Sequence, residues 1–475
     1  LDAIGEAGRA ILAAAIRHLD VPADARVTTR ERPDTLERLF DPPPASGRPL
    51  HELLERLSGN IADESIRLAH PMYMGHQVCP PLPVAAPPDP LVSMLNQSQA
   101  VWEMSPATSV LASKLIRWFA GLAGFGEGAG GSFVSGGSAG NLTALLAARA
   151  SRFPDAWTRG TPAGLATVTG EQSHYSVERA AGVMGLGTDA GVSVGTTQAG
   201  QTDPEAVAAA LDRLAAAGRP VLAVCATSGS TPTGAFDDLP ALAEICRRHG
   251  VWLHVDGAHG ASALLSRTHR HRLDGLELAD SLAWDAHKMM FQPLSSAVVL
   301  VRERRHLERA FQQNAPYLFH PGQDSGQDEA APVDSGIWTL QCSRRADALR
   351  LWLALEYYGT DLLGALFDHT VALAGELHER LATAPDFQAL HEPHANIVCF
   401  KYLPENTRNG MADNHALDRF QDEIRERYNT SGQGWITATT LNGRRVLRVT
   451  LINPRTKSEH LDQLLEGIRQ VDEGR

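Results

Sequence analysis

Short apolar runs at residues 221–226, 251–255, 281–283 and 297–301 are separated by polar or amphipathic stretches, among them the helix-like 239–249. Runs of that length without strict alternation are what strands look like when both faces of a sheet are covered by helices. They predict an α/β fold with a mainly parallel sheet. Near Arg344 the pattern changes to helix over 346–358, more helix to Leu381, and then strand-like 396–402 and 446–452. That shift predicts a smaller α+β domain at the C-terminus. At the other end, Ile4, Ile11, Leu12, Ala15, Ile16 and Leu19 share one face of a helix over residues 1–20. The segment 80–90, Pro-Pro-Leu-Pro-Val-Ala-Ala-Pro-Pro-Asp-Pro, cannot continue a helix or a central strand, because each proline fixes φ and removes a donor. The expected organisation is a helical arm with a linker (1–90), a large domain (91–345) and a small domain (346–475).

Charge narrows the partners. With 43 basic against 55 acidic side chains, a formal net charge of −12 and no long basic run, the chain lacks the cationic footprint that nucleic acid or an anionic membrane requires. No apolar run reaches the about 20 residues that span a bilayer. Acidic residues and early charge in the first helix argue against a secretory signal. The five cysteines are odd in number and widely spaced, with no C-x-x-C, so neither a disulfide framework nor a metal ribbon is expected. A reducing cytoplasm and a small-molecule partner are the expectation.

Five features carry chemistry. Residues 121–140 hold nine glycines and end in Phe-Val-Ser-Gly-Gly-Ser-Ala-Gly before a helical stretch. A strand, a glycine turn and a helix start together present bare N–H groups and a positive dipole end that suit a phosphate. Two rival motifs overlap there. Gly126-x-Gly128-x-x-Gly131 resembles a dinucleotide fingerprint but precedes a strand rather than a helix. Gly136-x-Ser138-x-Gly140 has the strand-turn-helix context of a nucleophile elbow, with Asp256 and His287 following in the order a serine hydrolase needs. Asp256 ends an apolar run, where open α/β sheets hold ligands, and a carboxylate there can keep a pyridinium nitrogen protonated. Taken alone, it is better read as an aspartate capping a turn. Lys288 follows another short run among apolar neighbours, where partial burial makes an amine a nucleophile and a Schiff base possible. His174 offers an aromatic face, and the turn 227–231 offers Thr and Ser hydroxyls.

In chain order these supply a phosphate cup, a ring face, a ring-oxygen partner, a ring-nitrogen partner and an amine for an aldehyde. The chain resembles the group II amino-acid decarboxylases, fold-type I pyridoxal 5'-phosphate enzymes. The likeness runs from His70-Pro71 to Leu447-Arg448-Val449-Thr450 and Asn453-Pro454. Its most specific parts are His254-Val-Asp256-Gly-Ala258, Gly234-Ala-Phe236-Asp237-Asp238 and Asp285-Ala-His287-Lys288. The resemblance implies a seven-stranded, mainly parallel sheet in the cofactor domain. It implies that Lys288 binds the cofactor aldehyde, Asp256 pairs with the ring nitrogen, His174 stacks on the ring and Ala258 lies under its other face. Gly137, Ser138, Asp285 and His287 would hold the phosphate, and Thr231 would sit near the ring oxygen. Asp285 is often Asn in relatives, and its carboxylate would face an anion. The resemblance further implies a homodimer with shared active sites, a substrate pocket reached by Tyr73 and His76, and Arg448 as the anchor of a substrate carboxylate.

One departure stands out. Aromatic and glutamate enzymes carry a loop tyrosine thought to return a proton to the substrate carbon, and no tyrosine lies between Phe319 and Gly336. Tyr317 and His320 are the candidate donors. The reading is decarboxylation of an L-amino acid to an amine and CO2, leaning to the 2,4-diaminobutyrate and glutamate-like branch through Phe291-Gln292-Pro293. The alternative is an enzyme diverted to oxidative deamination.

Overall fold

The computed structural model describes residues 1–22, 24–29, 31–313, 315–319, 334–405 and 413–474. The chain forms two compact bodies: Leu1–Pro80 with Thr370–Glu392 and Asn396–Arg475, and Pro81–His369 with Pro393–Ala395.

The second body is built on seven strands: β1 (Gly130–Val134), β2 (Ala166–Gly170), β3 (Gly191–Val194), β4 (Val221–Thr227), β5 (Trp252–Asp256), β6 (Ser281–Trp284) and β7 (Ala297–Val301). Their order is β1-β7-β6-β5-β4-β2-β3. Pairs β2/β3, β2/β4, β4/β5 and β5/β6 are parallel. β7 runs antiparallel to both β6 and β1. The connection 285–296 contains no helix, and without a crossover helix a strand returns antiparallel beside its predecessor. Every residue of β4, β5, β6 and β7 is buried, which is why their sequences read as unbroken apolar runs.

Helices cover the sheet for legible reasons. In Leu239–His249 the Asp238 carboxylate accepts from the Ala241 N–H at 3.0 Å, Pro240 occupies the first turn, and Leu242, Ile245 and Cys246 are buried. Burying Leu242 alone contributes about 2 kcal/mol. The segment 81–90, expected as a linker, is instead packed into this body. Ala85 is fully buried and the Leu82 N–H donates to the Phe291 carbonyl at 2.9 Å. Prolines stop regular structure there, but the apolar residues between them still bury.

The first body carries an antiparallel sheet of β8 (Phe387–Ala389), β9 (Ile397–Tyr402), β10 (Thr437–Leu441) and β11 (Arg444–Thr450), in the order β10-β11-β9-β8. Phe420, Ile424 and Tyr428 of helix Asn414–Ser431 and Leu461, Leu464 and Ile468 of helix Ser458–Glu473 share its core. Helix Asp2–Leu19 buries no residue and leaves Ile4, Ile11, Leu12 and Ile16 exposed. Among the described residues no helix is long and apolar enough to cross a membrane.

Candidate active site

A cleft of about 290 Å³ opens at the carboxyl ends of the large sheet's parallel strands. Gly137, Ser138, His174, Thr231, Asp256, Ala258, Asp285, His287 and Lys288 all line it, so the structure brings together the whole cofactor set expected from sequence. Each sits at or soon after the end of a strand. Gly136 and Gly137 leave β1 and start helix Gly137–Arg152, whose first turn faces the cleft with N–H groups unclaimed by helix bonds. Gly137 must be glycine, since a Cβ there would meet Ala258 Cβ at 2.9 Å and Asp285 Oδ2 at 3.2 Å. Asp256 is the last residue of β5, and Lys288 follows β6.

Lys288 Nζ lies 3.3 Å from Asp285 Oδ2, and the same oxygen lies 3.5 Å from His287 Nε2. The Asp285 carboxylate is therefore the countercharge of the lysine, and its buried Oδ1 has no hydrogen-bond partner among the described residues. Burial holds the His287 and His174 imidazoles below their ordinary pKa, more than offsetting the pull of Asp285 and Asp256.

Behind the cleft runs a polar chain that sequence reading missed. Asn141 Nδ2 donates to Asp256 Oδ2 at 2.8 Å and to Ser176 Oγ at 2.9 Å, and Asn141 Oδ1 lies 2.9 Å from His254 Nε2. The only available signal was a lone Asn in an Ala- and Leu-rich helix. The Gly234–Asp238 motif proves to be scaffolding: buried Asp237 accepts from the N–H groups of Thr227 and Thr202, each at 2.7 Å, fixing the end of β4.

The buried histidines make stability depend on pH. Burial depresses the fully buried His254 to about 4, against an ordinary value near 6.5. Between those values the unfolded chain binds a proton that the folded one refuses, so stability is intact above about pH 6.5 and is lost as pH falls toward 4. His254 alone accounts for on the order of 3 kcal/mol. The melting temperature is expected to drop on titration from pH 7 to 4.5, and His254→Gln should flatten that slope; an unchanged slope would refute the assignment.

In the first body Tyr73, His76 and Arg448 also meet. Residues 72–74 are tied to the small sheet through an isolated bridge between Tyr73 and Trp435: the Met74 N–H donates to the Trp435 carbonyl, the Trp435 N–H to Met72, and the Thr450 N–H to Met74, at 2.9–3.0 Å. Gly75 permits this approach, because a Cβ would stand 2.3 Å from Trp435 Cδ1. Thr437 Oγ1 donates to the Arg448 carbonyl at 3.0 Å and lies 3.5 Å from that of Gly75. Burial pushes the Tyr73 hydroxyl up to about 12. Burial pulls His76 down, and the guanidiniums of Arg448 and Arg425 pull it further. This cluster carries positive charge.

The serine-hydrolase arrangement is not built. His287 faces Asp285 rather than Asp256, and Asp256 is engaged by Asn141 and by the Ala258 N–H at 3.2 Å. Tyr317 is 85% exposed, and His320 lies outside the described residues.

A family profile described as the pyridoxal-dependent decarboxylase conserved domain matches residues 83–403. Cysteine sulfinic acid decarboxylase of Homo sapiens is 34% identical over 454 residues, covering 94% of this chain and 91% of the relative. L-2,4-diaminobutyrate decarboxylase of Acinetobacter baumannii is 30% identical over 442 residues, covering 90% and 84%. The crystal structure of mouse CSAD matches with a TM-score of 0.92 at 31% identity, covering 99% of this chain and 98% of that one.

Proposed function

The chain belongs to the pyridoxal-dependent decarboxylase family, and from that premise we propose that its cleft decarboxylates an amino acid with an acidic side chain. Membership makes it a pyridoxal 5'-phosphate enzyme that converts an amino acid to an amine and CO2. The single observation that carries the site reading is the convergence of Lys288, Asp256 and His174 on one cleft at the sheet's carboxyl edge.

The residues present fit the cofactor. Gly137 leaves a cradle that any side chain would fill, the helix start and Ser138 supply donors for a phosphate, and Asp256 supplies a carboxylate for a ring nitrogen. When bound, pyridoxal 5'-phosphate supplies an electron-accepting ring for the bond pair released with CO2. Lys288 Nζ would take the cofactor aldehyde, and as a free amine it stands 3.3 Å from Asp285 Oδ2. Asp256 would hold a proton on the ring nitrogen. His174 and Ala258 would flank the ring and exclude water from it, and Thr231 would offer its hydroxyl to the ring oxygen.

The substrate class rests on Tyr73, His76 and Arg448. Arg448 answers the α-carboxylate that every candidate carries, and a bidentate pair would also orient it. Arg425, itself paired with Glu426 at 3.2 Å, adds further positive charge near His76, which with Arg448 favours an acidic side chain such as a carboxylate or sulfinate over the amine of 2,4-diaminobutyrate. Both kinds of decarboxylase are among the relatives.

Amine formation from aspartate, glutamate, cysteine sulfinate and 2,4-diaminobutyrate, followed by mass spectrometry, tests this. Turnover of the diamino acid alone would overturn the acidic reading, and a carbonyl product with hydrogen peroxide would favour the diverted enzyme. Arg448→Met is expected to raise KM about 10- to 100-fold, the worth of a hydrogen-bonded charge, with a smaller change in kcat.

A homodimer belongs to the same proposal. The uncovered apolar face of helix Asp2–Leu19 supports it, and light scattering on the purified protein tests it. A cytoplasmic location agrees with five free cysteines, four of them buried.

A further inference from the structure

The two polar anchors of the cleft, Asp256 and His174, hang from one buried chain of hydrogen bonds, and its end groups dictate where every proton lies. An indole nitrogen can only donate, so Trp252 Nε1 gives its proton to Ser281 Oγ over 2.8 Å. A carboxylate oxygen can only accept, so the amide nitrogen of Asn141 must face Asp256 Oδ2, and its second proton goes to Ser176 Oγ. Asn141 Oδ1 is thereby left as the acceptor for His254 Nε2, which must carry the imidazole proton. His254 Nδ1 is then a bare lone pair, and Ser281, 2.9 Å away, donates to it. Ser176, having accepted from Asn141, donates to His174 Nδ1 at 2.8 Å, where its own backbone N–H also points at 3.3 Å. His174 thus carries its proton on Nε2. Trp252, Ser281, His254, Asn141 and Ser176 are all buried, so water does not compete for these bonds.

We propose that Asn141 is the positioning residue on which this chain turns, holding Asp256 as an acceptor for the cofactor's ring nitrogen and His174 as its Nε2–H tautomer in the cleft. The proposal rests on the reading of Lys288, Asp256 and His174 as the cofactor site. It requires His254 to be neutral. An imidazolium would donate from both nitrogens and force Ser281 to accept from His254 and Trp252 together, leaving the serine proton without either as an acceptor. The burial that depresses His254 supplies that neutrality. The Asn141 side chain does what no aspartate could, because only an amide presents two protons on one side and a lone pair on the other.

The test begins with the protein free of cofactor, labelled with 15N in its histidine side chains and read by long-range 1H–15N correlation at pH 7.5. His174→Gln and His254→Gln identify the signals. Both imidazoles are expected neutral with the proton on Nε2; an Nδ1–H tautomer at either one overturns the proton order. Asn141→Asp keeps the shape but sets a second carboxylate against Asp256 and removes the donor to Ser176. Ser176 is then expected to turn to the new carboxylate, so that His174 loses its single tautomer and gains a second set of signals. Unchanged His174 signals would overturn the role of Asn141. In the holoenzyme the same variant is expected to lower kcat about 10- to 100-fold, as for other partners that orient a reacting group, with KM within about twofold. If the variant does not fold, the wild-type tautomers still decide the proton order. Borohydride labelling keeps the two readings apart: Lys288 labelled alongside a wrong tautomer sinks the chain of bonds and spares the site, whereas correct tautomers with another lysine labelled do the reverse.

Discussion

Lys288→Ala is expected to abolish amine formation, lowering kcat by at least about a thousandfold, because the covalent nucleophile is lost and no neighbouring amine replaces it in the cleft. Among the residues lining the cleft, Lys288 is the one lysine. Reduction of the holoenzyme with borohydride should leave the cofactor adduct on Lys288 in a tryptic map, and an adduct on another lysine would remove the basis of the site. The substitution should also cost stability. Asp285 faces Lys288 Nζ at 3.3 Å and is almost wholly buried, so truncating the lysine strands a carboxylate. A loss on the order of 1–3 kcal/mol is expected, the desolvation cost of an unsatisfied buried group. Asp285→Asn in the same chain should recover most of it. A double variant no more stable than Lys288→Ala would mean that the 3.3 Å contact contributes little.

Asp256→Asn is the second large effect. The carboxylate accepts from Asn141 Nδ2 at 2.8 Å and from the Ala258 N–H at 3.2 Å. An amide in its place must turn an NH2 toward one of those donors or toward the ring nitrogen, and it carries no negative charge to hold a proton there. A drop in kcat of about 100-fold or more is expected, the scale seen when one preorganised electrostatic partner is removed, together with a shifted visible absorption band. A variant that kept both kcat and the band would show that the ring nitrogen does not depend on this carboxylate.

Much of the cofactor site was legible because strand ends are local features. Asp256 closes a run of buried apolar residues, Lys288 follows another, and Gly136-Gly137 separates a strand from a helix; periodicity marks these places, and the family resemblance supplied their roles. Lys288 and Asp256 were singled out as members of a set, since each alone also reads as an ordinary surface lysine or turn-capping aspartate. The direction of a carboxylate was another matter. Asp285 sits beside the lysine in sequence, and only the packed structure turns it toward Lys288 and His287.

The proline-rich 80–90 was misread for a related reason: proline reports that regular structure stops but not that Ala85 is buried. Arg448 lies hundreds of residues from Tyr73 and His76 in the chain. Their meeting depends on the Tyr73–Trp435 bridge and on the register that sets Arg448 opposite Thr437.

By itself, then, the sequence determined the strand order of residue types: an α/β sheet whose carboxyl edge carries glycine, aspartate and lysine at successive turns. The tertiary structure alone decided that Asn141 reaches Asp256 across 115 residues and joins it to His254 and His174. Burial and backbone periodicity repeat over a few residues and leave their mark on composition. A hydrogen bond between side chains on different elements leaves no such mark, because its geometry exists only once both elements are packed.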